Sequence, residues 1–108
     1  MITATFFHKN KSVQAFEISG HAESGPYGYD LVCAGVSAIS FGMVNAISAL
    51  CKIEMDIVQE SSGYLQVTIP DDLSRDVRER VQLLLEGMMI SLETMEREYS
   101  QFITIKRK

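Results

Sequence analysis

The chain is poor in the residues that metal, redox and phosphate chemistry draw on. It has two cysteines and two histidines in 108 residues. Cys33 and Cys51 fall on one predicted helix, eighteen residues apart in sequence, or about 27 Å along the helix axis. That span is too long for a disulfide. A zinc site needs about four ligands in compact spacing, and His8, His21, Cys33 and Cys51 are scattered with no Cys-x-x-Cys or His-x-x-x-His pair, so no metal is expected. No glycine-rich run at a strand-to-helix turn is followed by Lys-Ser or Lys-Thr, which excludes a phosphate loop, and no cofactor is implied. Positive charge is also scarce. Ten Lys and Arg against fourteen Asp and Glu give a net charge of −4 and a pI near 5.1. A general nucleic-acid binder needs clustered cations, so direct nucleic-acid contact is not expected and a basic partner is favoured. The N-terminus lacks a basic segment followed by an apolar stretch and a small-residue cleavage site, so no secretory signal is expected and the cytoplasm is the expected compartment. There is no repeat, no low-complexity tract and no linker, and residues 1–108 read as a single domain.

What is present alternates between strand and helix patterns. Ile2 to His8 is rich in β-formers, Asn10-Lys11 supplies a turn, and Val13 to Ser19 alternates apolar with polar residues, predicting a β-hairpin with one wet face. Leu31 to Cys51 carries no charge over twenty-one residues, long enough to span a bilayer. Gly35, Ser37, Ser40, Gly42, Asn45, Ser48 and several alanines keep it only weakly hydrophobic, so it reads as a core helix and no membrane contact is expected. At helical spacing Val36, Ile39, Met43, Ile47 and Leu50 form one broad face, expected to lie on the sheet. Cys33, Ser37, Ser40, Val44, Ser48 and Cys51 form a strip of smaller residues beside it. That strip and the alanine-rich opposite side permit close approach of another helix or subunit. Cys51 falls in an apolar register and reads as core.

Met55 to Glu60 and Tyr64 to Ile69 predict a second hairpin joined through Ser61-Ser62-Gly63. Pro70-Asp71-Asp72 ends that strand and offers acidic caps for a second helix, whose apolar positions run from Leu73 through Val81, Leu85, Met88 and Leu92 to Tyr99. Phe102 to Ile105 closes the chain as a last strand before a short basic tail. The order β-β-α-β-β-α-β, dominated by hairpins, predicts an α+β fold with a mostly antiparallel sheet and two packed helices.

The chain is organised around Gly20 to Ser37. An extended run ends at Gly20-His21, a loop containing Gly25, Pro26 and Gly28 follows, and a helix is predicted to begin near Asp30 with Cys33 in its first turn. A thiol there would sit among unpaired N–H groups at the positive end of the helix dipole, which favours thiolate. An imidazole returned over it by the loop would accept the thiol proton and give it to a leaving amine, so His21 and Cys33 are a candidate Cys–His pair. Ser37, one turn below Cys33, either supports the site or bonds its own helix backbone.

The segment Gly20-His21-Ala22 with Gly25, Gly28, Asp30, Val32, Cys33, Ala34, Val36 and Ser37 resembles the signature of the ribosomal-processing cysteine protease family, Prp, with no departure from the motif. The similarity extends over essentially the whole chain in length and element order. It implies a cytoplasmic, homodimeric cysteine endopeptidase that removes a short N-terminal extension from ribosomal protein L twenty-seven of the large subunit, with His21 as general base and Cys33 as nucleophile. Asp30 would either cap the helix or orient His21. The family's substrates are cut after an aromatic pair and before a small residue in a basic tail. Gly25, Tyr27, Gly28 and Tyr29 then form a substrate loop, in which the tyrosines either wall the peptide site or pack the loop itself. Two other classes fit the residues alone. A non-enzymatic ribosome-biogenesis adaptor needs no activated thiol, and a thiol-redox protein needs a resolving cysteine nearer than Cys51.

Overall fold

The computed structural model describes residues 1–20, 26–60 and 63–108, with only the backbone described over 26–30. Strands β1 (Ile2–Lys9) and β2 (Ser12–Ser19) pair antiparallel around the two-residue turn Asn10-Lys11. Both turn residues have positive φ, 53° and 69°, the geometry whose twist matches the flanking strands. The register shifts between Phe7 and His8, where Gln14 is the extra residue of a bulge. That shift returns Val13 to the face that carries Phe16 and Ile18. Gln82 then clasps Val13 from the second helix: the Val13 N–H donates to its Oε1 at 2.8 Å, and its Nε2 donates to the Val13 carbonyl at 2.9 Å.

Helix α1 spans Pro26–Cys51, four residues earlier in the chain than expected at its start. Proline suits a first helical position, since its φ is already helical and the N–H it lacks would have no partner there. The buried stripe of α1 is Val32, Val36, Ser40, Val44, Ile47 and Cys51. It corrects the expected broad face: Leu50 is 67% exposed, Ile39 and Met43 are only partly buried, and Val44 and Cys51 enter the core. Burial follows the direction from which α2 approaches as well as side-chain size. Gly35 marks that approach, since a Cβ there would lie 2.7 Å from the Met95 Cε. The stretch Leu31–Cys51 is long and apolar enough to cross a membrane by length and composition, yet its buried stripe packs in the core, as a core helix requires. Lys52, at φ 55°, turns the chain out of the helix.

Strands β3 (Asp56–Glu60) and β4 (Tyr64–Thr68) form the second hairpin, with Gly63 at φ 87° in its turn; Ser61 and Ser62 lie outside the described residues. Helix α2 (Arg75–Glu98) is capped by Ser74, whose hydroxyl accepts from the Val77 N–H at 3.4 Å. The expected acidic caps are displaced: the Asp71 carbonyl instead accepts from Arg78 Nη2 at 2.9 Å. Val81, Leu85, Met88, Met89 and Leu92 form its buried face. Strand β5 (Ile103–Arg107) lies parallel to β1, the one parallel pairing among the described residues, in a sheet ordered β3-β4-β2-β1-β5. Both helices pack against the face carrying Ile2, Ala4, Phe6, Phe16, Ile18, Leu65, Val67 and Ile103. The expected α+β architecture and element order are therefore present. β3 stands apart, since all five of its residues are exposed.

Candidate active site

A groove of about 340 Å³ opens between α1 and the end of the β3–β4 hairpin. Its α1 wall is Cys33, Val36, Ser37, Ser40 and Phe41, residues that recur every three or four positions and so share one face. Gln59, Glu60, Gly63 and Tyr64 form the opposite rim, and Ile2, Ile18 and Leu65 the apolar base. Gly20, the last described residue before His21, lines the same groove.

Cys33 is half-buried and Cys51 is 5% exposed in the core at the far end of α1. Ser37 is exposed on the groove, one turn from Cys33. The placement of Cys33 differs from expectation in one respect. With α1 starting at Pro26, Cys33 is its eighth residue, beyond the first four whose N–H groups lack an intrahelical partner. The helix-start argument for thiolate therefore does not apply, and access from the groove is what distinguishes this thiol from Cys51. Asp30 is the fifth residue of α1, which removes its reading as the helix cap. Tyr27, Gly28 and Tyr29 belong to the opening turns of α1 where a loop was expected. His21 and Gly25 lie outside the described residues.

Two side chains bordering the groove carry features that the sequence does not signal. Tyr64 donates its phenolic hydrogen to Glu17 Oε2 at 3.1 Å. Desolvation of the phenol raises its pKa above the usual 10, and the Glu17 hydrogen bond and the Glu17 and Glu60 charges act in the same direction. The second is Ser40, 1% exposed, whose Oγ has no hydrogen-bond partner among the described residues. A buried hydroxyl without a partner costs stability, so Ser40→Ala is expected to stabilise the fold by about 1 kcal/mol, read as a raised melting temperature. A lowered melting temperature would show that the hydroxyl is satisfied. The opposite rim has no local sequence signal, because the hairpin residues that supply it lie about thirty residues beyond the thiol. Among the described residues no cluster of His, Cys, Asp and Glu is suited to a metal.

A solvent-reached thiol in a peptide-sized groove, on an α+β sheet flanked by two helices, suits a thiol-dependent hydrolase, and comparison with known proteins narrows that class to cysteine proteases. The model of the family described as cysteine protease Prp matches residues 1–104. The ribosomal processing cysteine protease Prp of Bacillus subtilis is 44% identical over 108 residues, covering 97% of this chain and 96% of that protein. The protein of the same name from Staphylococcus aureus is 39% identical over 92 residues, 84% of this chain and 83% of that one. Crystal structures of an essential ribosomal processing protease Prp from S. aureus are also similar. The complex with a substrate peptide has a TM-score of 0.87 at 35% identity, and the complex with a covalently linked product peptide 0.86 at 36%; each covers 100% of both chains. The chain belongs to the Prp family of cysteine proteases, and the non-enzymatic adaptor reading is set aside.

Proposed function

We propose that this protease removes the N-terminal extension of ribosomal protein L twenty-seven of the large subunit, using Cys33 as nucleophile and His21 as general base. The observation that carries the reading is the position of Cys33: it is the cysteine on the groove, whereas Cys51 is enclosed. The names of the relatives point to ribosomal processing, and the S. aureus structure with a covalently linked product peptide supports a covalent route. In this mechanism His21 takes the thiol proton as sulfur attacks the scissile carbonyl. It then passes that proton to the departing amine, and water hydrolyses the thioester. With its cap reading removed, Asp30 orients His21. Ser37 supports Cys33 from the adjacent turn, and Tyr27 and Tyr29 supply aromatic contact to the residues before the cut.

The enzyme works as a homodimer through the outward face of α1. Leu31, Ala34, Ala38, Phe41 and Gly42 are exposed there, an apolar face with small residues that admit a second helix closely. Cytoplasmic localisation fits the ribosomal substrate. A redox role is disfavoured because the second thiol is buried at the opposite end of the helix.

The test is incubation of the purified protein with full-length L twenty-seven carrying its extension, followed by mass spectrometry of the products. One cut that releases the extension is expected. An intact extension under conditions in which Cys33 remains alkylatable would overturn the substrate assignment.

A further inference from the structure

The sheet has two edges, and the chain treats them differently. At β5 the Ile105 N–H donates to Glu96 Oε2 at 2.8 Å, and the strand ends in Lys106 and Arg107, with Lys108 following. A side-chain partner for the backbone and a run of cations are devices that keep an edge from pairing with other chains. β3 has neither. It contains no proline, glycine or lysine, its five residues are all exposed, and Ile57 and Val58 are 47% and 48% exposed. Among the described residues its only cross-strand partner is β4, so its outer row of backbone groups is open. The Glu60 end of this edge lies on the groove that holds Cys33.

We propose that β3 is a docking edge for an extended segment of the peptide substrate, which adds as a sixth strand and is thereby led into the groove at Cys33. The inference rests on the protease reading and adds to it the mode of substrate binding and a charge preference. Asp56, Val58 and Glu60 share the sheet face opposite the helices, because their cross-strand partners Thr68, Gln66 and Tyr64 alternate with the core residues Val67 and Leu65. A peptide with Lys or Arg at alternate positions would set cations beside both carboxylates. The same charges disfavour a second copy of the chain as the occupant. Two-fold antiparallel pairing of β3 about Val58 would bring Asp56 of each copy opposite Glu60 of the other, two like-charge contacts in five residues. Five residues of pairing span about 17 Å, within reach of a short unfolded tail.

Amide hydrogen exchange across residues 56–60 of full-length Cys33→Ala protein tests this, with and without a synthetic peptide of the basic L twenty-seven extension. Cleavage of the same peptide by the unaltered enzyme is measured in parallel. Binding is expected to slow exchange in β3 severalfold. Methylating the peptide backbone nitrogen at alternate residues should raise KM about tenfold, and methylation at the intervening residues should have little effect. Asp56→Lys should raise KM about fivefold while alkylation of Cys33 by a small neutral reagent stays unchanged. Cleavage without β3 protection overturns the docking edge and leaves the protease assignment standing. Protection without cleavage supports the edge and overturns that substrate assignment. If the peptide neither binds nor is cut, both fall. Protection that rises with protein concentration in the absence of peptide would identify the occupant as a second copy and overturn the proposal.

Discussion

Replacing Cys33 with Ser is expected to lower kcat/KM for peptide cleavage by roughly ten-thousandfold, while the melting temperature moves by no more than about 2 °C. The two readouts separate because the thiol is half-buried at a groove wall, and a hydroxyl fits its volume without opening a cavity. Serine retains the shape of the nucleophile but ionises far less readily, and no group among the described residues is placed to compensate. His21→Ala should cost at least about a hundredfold by removing proton transfer, again without loss of fold. The thiols themselves give an independent check. Cys33 should be alkylated at least about tenfold faster than Cys51, which is 5% exposed and reacts only when the core opens. Retained cleavage in either purified variant would remove that residue from the mechanism, and equal alkylation rates would remove the accessibility argument.

Periodicities of two and 3.6 residues, together with runs of β-forming residues, are strong local signals, and they locate the described strands and both helices. Their limits follow from physics the sequence does not display locally. The sequence predicts a start of α1 near Asp30 because Gly25, Pro26 and Gly28 have poor intrinsic helix propensity. Pro26 nevertheless opens the helix well, and Gly28 is carried within it. That shift of one turn changes the account of Cys33 from helix-start electrostatics to groove access. Leu50, apolar and in the right register, is exposed for a related reason. Residue size ranks candidates for burial, but the packing of α2 against Gly35 fixes the rotation of the helix. The groove rim was illegible altogether. Gln59, Glu60 and Tyr64 reach α1 only because β4 adds beside β2 and carries the hairpin with it, a long-range pairing that no window of sequence encodes. The family signature supplied what spacing could not, namely the protease family and its substrate, whereas the pairing of His21 with Cys33 follows from their spacing alone.

Gly20→Ala is expected to destabilise the fold by about 3 kcal/mol, a fall in melting temperature of roughly 10–20 °C. Two separate constraints meet at this position. Its φ is +90°, a conformation that residues with a Cβ adopt only under strain, and the added Cβ would overlap the carbonyl oxygen of Met1. Backbone cannot yield there as a flexible side chain would. Ile2, the next residue, is fixed on its other side by the 2.7 Å hydrogen bond from its N–H to the Phe102 carbonyl and by its parallel pairing with Ile103. To relieve the overlap, the end of β2 must swing away from the start of β1. Because Gly20 lines the groove and directly precedes His21, the proposed general base, that movement displaces the strand exit that leads to His21 in sequence. Activity measured well below the melting transition should therefore drop by more than the unfolded fraction explains, with kcat affected more than KM. Gly87→Ala is the matched control. Gly87 is an exposed position in α2 with nothing within 4 Å of the added Cβ, so the same chemical change there should stabilise by about 0.5–1 kcal/mol and leave cleavage untouched. Equal small effects at both positions would mean that the β2 exit relaxes freely, and that the approach to His21 is not set by the backbone at Gly20.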